Sequence, residues 1–344
     1  MKKKTMLALG AAMAVVMLLL YITGDLYYKS LMEETFRESQ DSHRYTYKFD
    51  MIVENQESAF WQEVYKSARE NAAKNDVLLE LKGAGWKTDY DKIDFMNMSI
   101  ASQPDGIILE YNGEPGLKEK IDEAADKGIP VVTVMNDAGK SRRQSFIGVS
   151  EYQLGSAYGE QVARYMDENT ENILILMNRE IDDMSRSHLY TQIMNAVTRN
   201  VKKEQRIDVR MENLLPAGSF ETEEAISDIF QKSEEIPDIL ICMDEETTEC
   251  VRQSVLNFNL AGKVKIIGYY ISEDILSAVE KGIISVTCNV DTEQLGRYSV
   301  EALTDYLKEG RSSSYYSVDL SFVGKDDVDR IRREAIANET DQVE

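Results

Sequence analysis

From residue 46 to about 325, short apolar runs rich in β-branched residues alternate with amphipathic stretches, and the series runs through twice. The first series offers strand candidates at Lys48–Val53, Val77–Leu81, Gly106–Leu109, Val131–Val134 and Phe146–Val149. The second offers Ile173–Met177, Val209–Leu214, Ile239–Cys242, Lys265–Gly268 and Ser285–Asn289. Strands that alternate with helices form parallel sheets covered on both faces. Two series predict two such sheets, hence an α/β fold of two doubly wound parallel-sheet lobes.

The boundaries carry their own punctuation. In "ASQPDGIILEY", Pro104 stops the preceding helix because it has no amide donor and restricts its neighbour, and Asp105-Gly106 turns into the strand. "KGIPVVTV" repeats the device, with Gly128 expected as a helix C-cap and Pro130 as the breaker, and "EEIPDILIC" repeats it again. In doubly wound lobes ligand groups lie on the loops beyond the carboxyl ends of the strands.

The 344 residues suit two lobes, each with its own core. With 39 basic and 61 acidic residues the net charge is −22, which repels phosphate backbones, and no basic run or Cys/His finger offsets it. Nucleic acid is therefore excluded as a partner. Lys2, Lys3 and Lys4 precede an uncharged run from Thr5 through Gly24, long enough to span a bilayer once. Its apolar length and the Gly24-Asp25-Leu26-Tyr27-Tyr28 that follows favour an uncleaved anchor over a cleaved signal, with the body outside the membrane. Residues 25–45 read as a helical stalk, and 326–344 as a polar tail.

Cys242, Cys250 and Cys288 are odd in number and lack Cys-x-x-Cys spacing; two sit in apolar strand contexts, so free thiols are expected. Gly-x-Ser-x-Gly, a phosphate-cradling loop and His-Glu-x-x-His are all missing, and there are only two histidines, so neither enzymatic activity nor a cofactor or metal is expected.

The ordered fragments "AFW", "PDGIILEYN", "KGIPVVTVMND", "SFIGVSEYQLGSAYGEQV", "PDILICMDEET", "VKIIGYY" and "VDTEQLGRYSVEAL" resemble the type I periplasmic solute-binding proteins, especially the ribose- and galactose-binding branch. The resemblance covers roughly residues 46 to 325 and implies two lobes joined by a three-strand hinge, closing on a small polar solute, usually a sugar. It implies crossings near Val149 and Ser150, near Asn289 to Asp291, and near Ser312 to Ser317. The first lobe would own 46–149 and 291–312, and the second 150–290 and 313–325.

Carried over position by position, the resemblance places Phe60 and Trp61 where aromatic rings clamp a sugar, and Ser58 where an asparagine binds a hydroxyl. Met135-Asn136, followed by Asp137, replaces an Asp that is often followed by Arg, and Ser150-Glu151 replaces Asp-Asn. Leu189 stands where an arginine is usual, with Arg186 and His188 close by. Met243-Asp244 replaces Asn-Asp, Tyr270 replaces an aspartate, and Asn289 or Val290 replaces the hinge glutamine. Tyr111, Asn112 and Phe220 complete the candidate set. Two readings of Phe60-Trp61 stay open: one ring in the core with the other over the helix end, or at least one ring facing a ligand. Of Tyr269 and Tyr270, one is expected in the core and the other at the cleft. The implied role is solute binding for an ABC-type permease, or, alternatively, ligand sensing for a membrane partner such as a sensor histidine kinase.

Overall fold

The computed structural model describes residues 44–84, 90–177, 183–201, 206–214, 219–232 and 236–333. The body beginning at Tyr47 is one compact unit. It holds two six-stranded sheets. The first contains β1 (Tyr47–Asn55), β2 (Val77–Ala84), β3 (Gly106–Glu110), β4 (Val131–Val134), β5 (Ser145–Gly148) and, from far along the chain, β11 (Tyr315–Ser317), in the order β11-β5-β4-β3-β1-β2. All its pairings are parallel. The second contains β6 (Asn172–Met177), β7 (Asp208–Asn213), β8 (Ile239–Cys242), β9 (Lys265–Tyr269), β10 (Val286–Val290) and β12 (Leu320–Val323), in the order β12-β10-β9-β8-β6-β7. Only its β10–β12 pair is antiparallel.

Short apolar runs become central strands here because helices cover both faces, and β4 and β8 are buried at every residue. On the first sheet lie α1 (Ala59–Lys74), α2 (Lys92–Ser102) and α3 (Leu117–Asp126). With the second go α4 (Glu151–Tyr165), α5 (Asp183–Asn200), α6 (Ser219–Lys232), α7 (Glu245–Asn257) and α8 (Glu273–Glu280). The punctuation acts as the sequence predicts. Helix α2 stops at Ser102 with Gln103 left-handed before Pro104, and Gly128, at φ +78°, follows the end of α3. Buried Tyr158 of α4 donates across to the carbonyls of Cys242 and Gly268, both at 3.2 Å, fastening the helix to β8 and β9.

The chain changes lobes at three places. Ser150, after β5, caps α4 by accepting from the Gln153 amide at 3.2 Å. Asp291, after β10, caps α9 (Thr292–Glu309) by accepting from the Gln294 amide at 2.8 Å, and α9 returns to pack on β4, β5 and α1. The third crossing lies at 318–319, beyond the expected 312–317, because Tyr315–Ser317 still pairs with β5 in the first sheet. Tyr315 stacks on Phe146 at 5.3 Å and the Phe146 amide donates to the Ser314 carbonyl, which holds this strand to the first lobe. The crossings are tied together: the Val318 amide donates to the Gly148 carbonyl and the Asp291 amide to the Asp319 carbonyl, both at 3.0 Å.

Residues 326–333 also differ from the expected tail. They form a short helical end in which Val328 is buried and Arg332 pairs with Glu273 at 2.6 Å and Glu280 at 2.8 Å on α8. Arg332 is complementary to the acids of a neighbouring helix, which is why this part of the expected polar tail is ordered against the second lobe. The expected anchor, the stalk up to residue 43 and residues 334–344 lie outside the described residues, among which no helix is long and apolar enough to cross a membrane.

Cys242 and Cys288 are buried free thiols on β8 and β10, and Cys250 is a half-buried free thiol on α7. Burial pushes the Cys288 thiol up to about 12. Burial and the nearby acids Glu246, Glu223, Asp244 and Glu249 push Cys250 to about 12 as well. The thiolate is the reactive form. At pH 8 the native protein is therefore expected to resist a thiol reagent that titrates all three cysteines after denaturation; rapid native labelling of Cys288 would contradict its burial.

Candidate functional site

The N-terminus of α1 meets the second lobe. Ser58 is the N-cap residue of α1 yet makes no capping bond with its own helix. Its hydroxyl donates instead to the Glu245 Oε2 of α7, at 2.7 Å and 187 residues away. The Phe60 amide, another donor that α1 cannot satisfy internally, also bonds to Glu245. One carboxylate of the second lobe thus takes the role of a helix cap in the first, where the helix dipole favours negative charge.

Above this contact lie aromatic rings from both lobes. Phe60, 5% exposed, meets Tyr270 edge to face at 5.4 Å and Tyr269 at 6.0 Å. Tyr269 directs its hydroxyl to the Met135 sulfur at the end of β4, 3.8 Å away. The two rings take different places, and both are buried. Phe60 is the interlobe ring. Trp61 packs against it at 5.1 Å, turns into the first lobe and bonds to the Glu110 carboxylate. Tyr269 and Tyr270 are both buried, at 4% and 2% exposed, so neither is simply an exposed cleft residue.

Glu110 ends β3 and belongs to a charge cluster that the sequence reading missed. It accepts from the Glu54 amide at 2.6 Å, and the ammonium of buried Lys92 on α2, which forms an ion pair with Glu54, acts on it electrostatically. Burial raises the Glu110 carboxyl above its ordinary value, while Lys92, the Glu54 amide and Trp61 oppose the rise.

The remaining candidates are divided. Tyr111 and Asn136 come together at the ends of β3 and β4, where the Asn136 amide donates to the Tyr111 carbonyl at 2.8 Å. Asn112 donates to Glu54 at 3.3 Å. Asp137 is turned outward into an ion pair with Arg143. Asp244 spends its carboxylate on its own helix, accepting from the Thr247 amide at 2.7 Å and hydroxyl at 2.8 Å. Glu151 lies in the first turn of α4, His188 is exposed on α5, and Asn289 stands on β10 opposite Ser321. The side chains of Phe220 and Arg186 lie outside the described residues. Glu245 was passed over beside Asp244. Its only signal in the sequence is an acid directly after an N-cap acid, and nothing there ties it to Ser58.

Lys92→Met would leave Glu110 uncompensated and should destabilise the protein by about 3–5 kcal/mol, with Lys92→Met/Glu110→Gln recovering much of the loss in denaturant melts. Glu245→Ala, which strands the Ser58 hydroxyl and the Phe60 amide, should cost about 1–3 kcal/mol. Burial also raises the Glu245 carboxyl, against the opposing bonds from Ser58 and Phe60. A raised carboxyl contributes stability that is full below the ordinary carboxylate range and lost as pH rises through the raised value. Glu245→Gln should therefore flatten the fall in stability above pH 4.5, and an unaltered pH profile would remove Glu245 from that role.

Known proteins share this architecture. The sequence pattern of the periplasmic binding protein domain matches residues 49–312. No curated protein sequence matches the chain. Among solved structures, the glucose-galactose binding protein GanP from Geobacillus stearothermophilus superposes with a TM-score of 0.71 at 22% identity, covering 82% of this chain and 98% of that one. XylFII in its complex with LytSN gives 0.69 at 22% identity, covering 81% and 98%. The arabinose binding protein AraP from Geobacillus stearothermophilus gives 0.65 at 18% identity, covering 83% and 98%. At these identities the likeness establishes the fold. With the family pattern spanning most of both lobes, the chain belongs to the periplasmic binding protein family.

Proposed function

We propose that this chain is a solute-binding protein held on the outer face of the membrane by its first 24 residues, and that its lobes close on a small, carbohydrate-like solute for an ABC-type importer. The observation that carries the reading is the interlobe contact itself: Ser58 and Phe60 of the first lobe meet Glu245, Tyr269 and Tyr270 of the second. These groups stand at strand ends and helix starts, where α/β lobes bind ligands, and they combine apolar ring faces with carboxylates. A hydroxylated ring has both of the surfaces such a site pairs. A ligand that contacts both lobes stabilises the form in which it makes those contacts, in proportion to their differential strength.

A second reading, an anchored sensor whose closure is read by a partner such as a sensor histidine kinase, is supported by the fold shared with XylFII, which has been solved in complex with LytSN. Purification from native membranes separates the two, since an importer component should come away with a permease and a sensor with a kinase.

The ligand reading is tested by thermal shift of the full chain in detergent against sugars, polyols, nucleosides and small peptides. A ligand at 100 times its Kd should add about 2.7 kcal/mol of stability. A shift with a sugar or polyol is expected, and the lack of one across that panel would retire carbohydrate as the ligand class.

A further inference from the structure

The residue that follows β9 reaches across the cleft. Tyr270 has φ +73°, a left-handed backbone that a bulky side chain keeps only where its surroundings hold it. The hold is visible: its amide donates to the Cys288 carbonyl at 2.6 Å and its carbonyl accepts from the Thr287 hydroxyl at 2.6 Å. Set in this way, the ring presents itself to Phe60 at 5.4 Å, and the phenol reaches Glu63 on the next turn of α1. Both partners belong to the first lobe. On that side Met135, also left-handed at φ +72°, receives the Tyr269 hydroxyl.

A solute ring stacked on Phe60 needs the space that Tyr270 fills, and an edge-to-face aromatic pair at this separation is already a favourable arrangement. We propose that Tyr270, supported by Tyr269, is a built-in occupant of the cleft, so that the lobes rest closed without solute and a solute enters only by displacing this ring. The phenol and ring together satisfy what a hydroxylated ring would otherwise bring, an apolar contact for Phe60 and a hydroxyl for Glu63. Tyr270 is thereby the residue that sets which solutes compete, namely those offering both groups at once. The inference rests on reading the cleft as the solute site.

The test is the distance between spin labels at exposed Lys66 on α1 and exposed Asn257 on α7, in the full chain in detergent with Cys250 replaced by serine. Without solute, the otherwise native protein is expected to give one narrow, short distance distribution. Tyr270→Gly should shift it to longer, broader distances. Glycine adopts the left-handed backbone without strain, so this variant preserves the loop, and a cooperative melt checks that it folds. Tyr270→Phe, which keeps the ring, should stay closed. A long, broad distribution in the native protein, or a Tyr270→Gly distribution that matches it, would overturn the proposal. The sugar response is scored separately. A protein closed at rest that no sugar stabilises defeats the carbohydrate reading and leaves the occupant in place, whereas one that is open at rest and closes on sugar does the reverse.

Discussion

A carboxylate in one lobe caps a helix in the other, and much of the arrangement depends on that contact. Helix α1 begins with donors it cannot satisfy, and its N-cap serine faces outward instead of back onto the helix. Glu245 supplies the acceptor only while the lobes are together. The other side of α1 is held by backbone contact with α9. A side-chain carbon at Gly296 would lie 2.3 Å from the Val64 carbonyl oxygen, so nothing larger than glycine allows that approach. Because α9 starts at the Asp291 crossing, the helix that presents Phe60 is fixed both to the hinge region and, through Glu245, to the second lobe.

Around this polar contact the interlobe surface is mostly aromatic. Left-handed backbone at a residue with a side chain costs roughly 1–2 kcal/mol, and Met135 and Tyr270 each carry it. Both lie just beyond strand ends, one in each lobe, and both belong to the set that joins the lobes. Hydrogen bonds to Tyr270 from neighbouring β10 offset its strain. Strain placed at the meeting surface of two lobes, and held there by the sheet, is the arrangement expected where conformation and binding are coupled.

Much of the fold was legible in the sequence because central parallel strands must be apolar throughout and their helices must end at Pro and Gly. Ile239–Cys242 and Val131–Val134 declare themselves in this way. The third crossing was less legible. Tyr315–Ser317 is short and half exposed, and only its pairing with β5, a strand nearly 170 residues earlier, together with stacking against Phe146, assigns it to the first sheet. The helical end near Arg332 was hidden for a similar reason, since its partners Glu273 and Glu280 are distant in the chain. Within the site, the importance of "AFW" could be read from two large rings at a helix start. The different fates of those rings could not, because the Trp61 partner, Glu110, is itself placed by Lys92 and Glu54.

The sequence by itself determined β1 to β10 of the two sheets, to within a few residues at their ends, and the residues that punctuate them, because hydrophobic period and the backbone limits of Pro and Gly act locally. The family resemblance, carried over position by position, brought Ser58, Phe60 and Tyr270 into the candidate set. Only the tertiary structure decided that Ser58 bonds to Glu245, that Phe60 meets Tyr270 while Trp61 turns inward, and that Asp137 and Asp244 are committed to Arg143 and Thr247. Those choices depend on groups as far apart in the chain as Ser58 from Glu245 and Phe60 from Tyr270, and their energies exist only once burial has removed water from between them.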